Sequence, residues 1–286
     1  MDIFLARELP DSFTHLRQSL PFLKGSFTEK YRSIVGGSGA IGVRFSVWLF
    51  AVEYFTGDVV PESETFKGLR LIIWDRILNN SKPKQWHQAT QGFRLSSCAV
   101  LDLSLEEYWK DWTKTLKQYR NKWETQTEYE IEKVARNQFV DCYLKFGHPK
   151  NLLSASINSL DRHIKENRSA ISLFILKNKI TNTVVAGVGV VDAKEVNQSY
   201  YLTAFTDKKI APPQAGLWLL NNWFLQCIKN GIRFANFGVI WVPGQSKGWK
   251  GFSEFKLHFR PIILEYKPPL FRFTFSLKKE IGEQII

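Results

Sequence analysis

The residues best suited to chemistry lie near the C-terminus. Asn236-Phe237-Gly238-Val239-Ile240-Trp241 leads through a loop containing Gly244 to Gly248-Trp249-Lys250-Gly251-Phe252-Ser253-Glu254-Phe255-Lys256-Leu257-His258-Phe259. The order is a strand ending in Phe-Gly, a glycine-containing loop and a short amphipathic segment. Phe252, Phe255 and Phe259 fall three and four apart, so a helix places them on one face, with Lys256 beside that face. An ammonium held against aromatic walls can donate hydrogen bonds into a poorly hydrated cleft. There it stabilises the oxyanion formed when an amine attacks an ester or thioester. From spacing alone, an amphipathic helix with Lys256 turned to water is the simpler reading.

Other chemistries lack their signatures. Gly37-x-Gly39-x-x-Gly42 matches the dinucleotide fingerprint as a string, but that site needs a strand before it and a helix after it. Here strand-like Val43–Ala51 follows, so a loop into a hairpin is expected instead. The five histidines and three cysteines show no metal-ligand spacing, and no metal is expected. No Gly-x-Ser-x-Gly elbow or Walker lysine occurs, and Ser246-Lys247-Gly248 reads as a loop. Cys98, Cys142 and Cys227 are odd in number and widely spaced, which argues for a reducing compartment over a disulfide framework.

The elements that must position the lysine come next. Of 286 residues 44% are hydrophobic and 14% aromatic, a globular composition. Lys and Arg exceed Asp and Glu by 39 to 27, a net +12. That excess favours polyanionic partners: nucleic acid, a pyrophosphate or an anionic membrane surface. There is no signal-peptide pattern and no run of about 18 apolar residues, so a secreted or membrane-spanning chain is not expected.

Residues 1–30 read as a short helix and turn. Ile41–Phe55, Leu69–Trp74 and Ala99–Leu103 read as strands. Ser104 and Glu107 have capping-box spacing, and Leu105, Tyr108, Trp109, Trp112, Leu116, Tyr119 and Trp123 repeat at helical intervals as a core stripe. Helices are expected over Glu128–Lys145 and Asn151–Asn167, then strands over Ile171–Leu176, Val184–Val191 and Ser199–Phe205. Pro212-Pro213 opens a helix that Asn230-Gly231 stops. Arg233–Phe237, Ile262–Tyr266 and Phe271–Phe275 complete a mixed α/β chain.

The Phe-Lys block resembles the C-terminal signature of the FemABX family of peptidoglycan-bridge aminoacyltransferases: Asp-Phe-Gly, a glycine-containing loop, then Gly-x-x-x-Phe-Lys-x-x-Phe. Gln91-Gly92-Phe93 with Ala99-Val100-Leu101-Asp102-Leu103-Ser104, and Lys67-Gly68-Leu69-Arg70-Leu71 with Trp74-Asp75-Arg76, are similar to that family in the same order. The resemblance implies two GNAT-like α/β lobes, over residues 1–127 and 128–286, with a central cleft. It implies transfer of an amino acid from aminoacyl-tRNA to a stem-peptide amine of a UDP-linked or lipid-linked muropeptide, in the cytoplasm or at the inner face of an anionic membrane. Aminoacyl-tRNA is then a co-substrate, with no resident cofactor. Lys256 matches the lysine at the reacting centre, with Phe255, Phe252, Phe237, Gly238 and Trp241 shaping the substrate site. Lys24, after Gln18-Ser19-Leu20-Pro21-Phe22, matches a phosphate contact.

Relatives in the wider clan use acyl-CoA, which keeps an N-acyltransferase acting on a small amine or sugar amine as an alternative. A non-catalytic GNAT-like binding module is a third reading. Three departures bear on the choice. Asn236 stands where the family has aspartate. No counterpart of the coiled-coil arm is present. Pro212 and Pro213 remove amides that would otherwise cradle a coenzyme A pyrophosphate.

Overall fold

The computed structural model describes residues 22, 26, 33–37, 40–47, 50–57, 59–61, 68–76, 82–88, 97–104, 106–146, 150–166, 170–241, 250–266 and 269–276. Lys24, Gly244, Gly248 and the Gln91–Phe93 segment lie outside them. So do residues 1–30 apart from Phe22 and Ser26.

The strands form two mixed sheets. The first runs β1 (Ser33–Gly37), β2 (Ala40–Val47), β3 (Phe50–Thr56), β4 (Gly68–Asp75), β13 (Leu270–Ser276) and β5 (His87–Gln88). β1 and β2 pair antiparallel from Ser33↔Arg44 to Gly37↔Ala40, so Gly37 and Gly42 lie on paired strands and no helix follows, against the dinucleotide reading. Gly42 permits the close approach of β3: a Cβ there would sit 2.5 Å from the Tyr54 carbonyl oxygen.

The second sheet runs β12 (Ile262–Glu265), β6 (Ser97–Asp102), β11 (Phe234–Val239), β10 (Gln198–Thr206), β9 (Val184–Ala193), β8 (Ile171–Asn178) and β7 (Tyr129–Lys133). β6 joins this sheet from early in the chain, and β13 returns late to the first. A division after residue 127 therefore does not follow sheet membership.

Two expected helices are corrected. Glu128–Lys145 divides into β7 and helix α2 (Arg136–Lys145), because Tyr129 and Ile131 alternate in register with β8 and Lys177 pairs with both Glu130 and Glu132. The stripe from Ser104 becomes helical only at α1 (Lys114–Thr125). No capping box forms at Ser104, whose amide instead donates to the Asp102 carboxylate at 3.0 Å, while Arg233 binds both Asp102 oxygens. Tyr108, Trp112 and Leu116 are nevertheless buried as expected.

Helix α3 (Lys150–Glu166) follows α2, and helix α4 (Ala215–Lys229) lies between the Pro212-Pro213 and Asn230-Gly231 signals. Leu217, Trp218, Leu220, Trp223 and Phe224 of α4 are buried against the sheet and α1. Burying a large apolar side chain contributes roughly 1.5–3 kcal/mol. The polar groups sunk with them find partners. Trp218 Nε1 donates to the Tyr119 carbonyl, Tyr108 Oη to Asn221 Oδ1 and Trp223 Nε1 to Ser199 Oγ.

The other face of the sheet is covered by α2 and α3, and there α3 buries His163, whose ring lies 5.2 Å from that of Phe22. Burial, with Arg162 alongside, lowers its pKa from 6.5 to about 4. Between those values the unfolded chain takes up a proton that the folded chain does not. Stability present above pH 6.5 is therefore lost as pH falls through that window, by about 3 kcal/mol. Urea midpoints of the protein and of His163→Leu are expected to diverge in this way from pH 7 to pH 4; parallel profiles would refute it.

Candidate functional site

The site grows from a strand pair that stops early. β10 and β11 run parallel, paired only from Gln198↔Phe234 to Tyr200↔Asn236, although β10 continues to Thr206 and β11 to Val239. At the same place β11 is irregular against β6, between Asn236 and Gly238, and Gly238 has a φ of +72°. Glycine suits this left-handed turn. A Cβ at 238 would also meet Tyr200 Oη at 2.8 Å.

Asn236 stabilises the irregularity. Its Oδ1 accepts from the Gly238 amide at 2.8 Å, and its Nδ2 donates to Gln198 Oε1 at 2.9 Å. The Asn236 amide thus fixes the turn and ties it to β10.

Past the last pair with β10, the carbonyls of Phe237 and Val239 accept from Lys256 Nζ at 2.7 and 2.9 Å. Lys256 lies on helix α5 (Lys250–Leu257). One turn earlier, Ser253 Oγ accepts from the Trp241 amide at 2.6 Å. One face of α5 is therefore tied to the end of β11 at two points. Lys256 is only 8% exposed. Its Nζ lies 5.8 Å from the centre of the Tyr201 ring, within the range of a cation–π contact. Burial lowers its pKa from 10.5 to about 8, with the nearby Cys98 thiol opposing the shift. The ammonium therefore persists at neutral pH. Its burial corrects the reading, from spacing alone, of a lysine turned to water.

Beside it opens a cavity of about 630 Å³, walled by α1, β9, β10, the start of α4 and α5. Tyr201, whose ring lies beside Lys256 Nζ, lines it together with Leu116, Leu217, Leu220, Phe255, His258 and other, mostly apolar, neighbours. A volume of this order can enclose most of a small-molecule ligand.

The residues singled out in the sequence fall into different places. Lys256, Gly238 and the Phe237 carbonyl converge at the strand opening. The Phe237 ring does not face it: 1% exposed, it packs among Trp223, Phe224 and Phe259. Phe255 lines the cavity, its ring 5.5 Å from that of Phe259. Trp241 joins the site through its backbone and is half-buried, with Lys250 Nζ 5.9 Å from its ring. Phe252 lies on α5, but its side chain is outside the described residues.

Tyr201, Ser253, Gln198 and Thr113 belong to the site without having been anticipated. Only Ser253 left a signal, its spacing of three from Lys256. Among the described residues no group of three or more His, Cys, Asp or Glu could hold a metal. None of their helices is long and apolar enough to cross a membrane.

No family model and no curated protein matches the sequence. Solved structures do match in shape. FemX superposes with a TM-score of 0.68 at 10% identity, over 91% of this chain and 92% of its own. The C-terminal domain of a putative lysylphosphatidylglycerol synthetase from Agrobacterium fabrum gives 0.54 at 14%, over 88% and 86%. L-PGS from Bacillus licheniformis gives 0.51 at 14%, over 85% and 83%. At such identities the likeness is one of fold, and it spans nearly the whole chain. The mixed α/β architecture expected from the FemABX resemblance is the one the chain adopts.

Proposed function

We propose that this chain is an acyltransferase that forms an amide, moving an aminoacyl group from aminoacyl-tRNA to the amine of a UDP-linked or lipid-linked muropeptide. The observation that carries the reading is the buried Lys256 ammonium, fixed by two carbonyls at the strand opening and close to a mostly apolar cavity. In the reaction, the acceptor nitrogen bonds to the ester carbonyl carbon and negative charge develops on its oxygen. The C–O bond to the tRNA ribose then breaks. The proton lost by the amine ends on the departing oxygen, through water or a substrate group. The chain needs to align the two reactants and stabilise the oxyanion. Lys256 supplies the charge, and Phe255 helps keep water from the cleft. The FemABX-like Phe-Lys motif and the fold shared with FemX and with a domain of a putative lysylphosphatidylglycerol synthetase support an aminoacyl cargo, and the net +12 suits a polyanionic donor.

The test supplies the purified protein with a labelled aminoacyl-tRNA pool or acyl-CoA, each with UDP-linked or lipid-linked muropeptide. Product from the tRNA pool is expected. Its rate falls as pH rises through about 8, because a neutral Lys256 no longer stabilises the oxyanion. Product from acyl-CoA alone would replace the donor. Retained tRNA binding with no product from either donor would leave a binding module.

A further inference from the structure

The cavity beside Lys256 carries information about the group that is transferred, and the inference rests on the acyltransfer reading. We propose that it seats a large, uncharged, apolar acyl group, such as a leucyl or phenylalanyl side chain or a medium-length acyl tail. Tyr201 links the two: its ring centre lies 5.8 Å from Lys256 Nζ and it lines the cavity, so a carbonyl held by Lys256 can direct its substituent along Tyr201 into that space. Beyond Tyr201 the walls are Leu116, Val188, Ala204, Leu217, Leu220 and Phe255.

No Asp or Glu lines this space; of its titratable neighbours Lys208 and His258 are exposed, and the others are the tyrosines Tyr119 and Tyr201. A lysyl or arginyl side chain would lose its hydration there and meet no counter-charge. A glycyl or alanyl group would touch little of the apolar wall, forfeiting the contacts a larger apolar group makes.

Gly216, in the first turn of α4, is where the space can be closed. A Cβ there would meet only Phe255 Cζ, at an ordinary 3.9 Å, so a side chain can be added and occupies the cavity. The probes are adenosines carrying leucyl, phenylalanyl, glycyl or lysyl groups in a non-hydrolysable 3′-amide, and octanoyl- and acetyl-pantetheine. Binding to the full chain is measured by calorimetry.

The leucyl and phenylalanyl adenosines are expected to bind about tenfold or more tighter than the glycyl and lysyl ones. Gly216→Phe, or the milder Gly216→Leu if the first fails to fold, abolishes that preference. Equal binding of the lysyl probe, an unchanged preference in the variant, or no binding in either series overturns the assignment. A size preference seen only among the thioesters supports the cavity assignment while overturning the tRNA donor. Transfer from glycyl- or lysyl-tRNA alone supports the enzyme while overturning the cavity assignment.

Discussion

Lys256→Met is expected to lower the transfer rate by about a hundredfold or more, the scale on which loss of a preorganised oxyanion donor is felt. Methionine keeps the length and apolar bulk of the stem, so the walls around it stay in place. The change removes the positive charge and the two hydrogen bonds to Phe237 and Val239. Loss of fold is separable from loss of chemistry.

In the folded chain Lys256 titrates near 8 instead of 10.5. Between those values the unfolded chain binds the extra proton, so stability rises with pH across that window, by about 3 kcal/mol, and is withheld below it. Met removes this pH-dependent rise and the penalty of a buried charge, but leaves two carbonyls without their donor, at about 1–3 kcal/mol each. The opposing contributions keep the melting temperature within several degrees. A variant that melts with the wild type and retains more than a tenth of its rate would remove Lys256 from the chemistry.

A buried lysine whose charge costs stability at neutral pH fits the proposed role, and its two hydrogen bonds also satisfy carbonyls that would otherwise lack a donor. An apolar residue fills a closed space more cheaply than an ammonium, yet here the ammonium is anchored where two parallel strands separate. The separation leaves the carbonyls of Phe237 and Val239 without a partner on β10, and those carbonyls orient the charge. The strand end and the lysine are one device.

The strand core was legible because its signals are local. Apolar, β-branched runs over 171–206 read as near-continuous strands, as a sheet covered on both faces needs, and prolines and Asn-Gly bound α4 on both sides. Residues 129–133 misled because Glu130 and Glu132 are good helix formers. The pairing that overrides them depends on Lys177, more than forty positions away. The same limit applies to the site. Lys256 was visible as a residue of a motif. Its burial was not, since its partners are backbone carbonyls freed where β10 departs, and no side-chain pattern records that. Asn236 was visible only as a departure from aspartate, and the structure turns that departure into a role.

Asn236→Leu is therefore expected to disable the protein nearly as thoroughly as loss of Lys256, by a different route. Asn236 is 2% exposed, and leucine would leave the Gly238 amide without its acceptor in a dry interior and remove the Asn236 contact to Gln198. The stranded amide costs about 1–3 kcal/mol, read as a lower urea midpoint. The Gly238 turn then relaxes and takes with it the Phe237 and Val239 carbonyls that aim Lys256. A displacement of order ~1 Å at a reacting centre is enough for about a hundredfold loss of rate.

Asn236→Asp separates geometry from charge. One carboxylate oxygen still accepts from the Gly238 amide, and the Gln198 amide can turn to donate to the other, so the fold is retained. The new negative charge lies one residue from a carbonyl that Lys256 holds. In so dry a place it favours the ammonium. The alkaline fall in rate, near pH 8 in the wild type, moves to higher pH in this variant, and the rate at neutral pH survives. If leucine at 236 left both the urea midpoint and the rate intact, the turn would not be what positions Lys256. If aspartate left the pH profile unmoved, the charge on Lys256 would not be what the reaction uses.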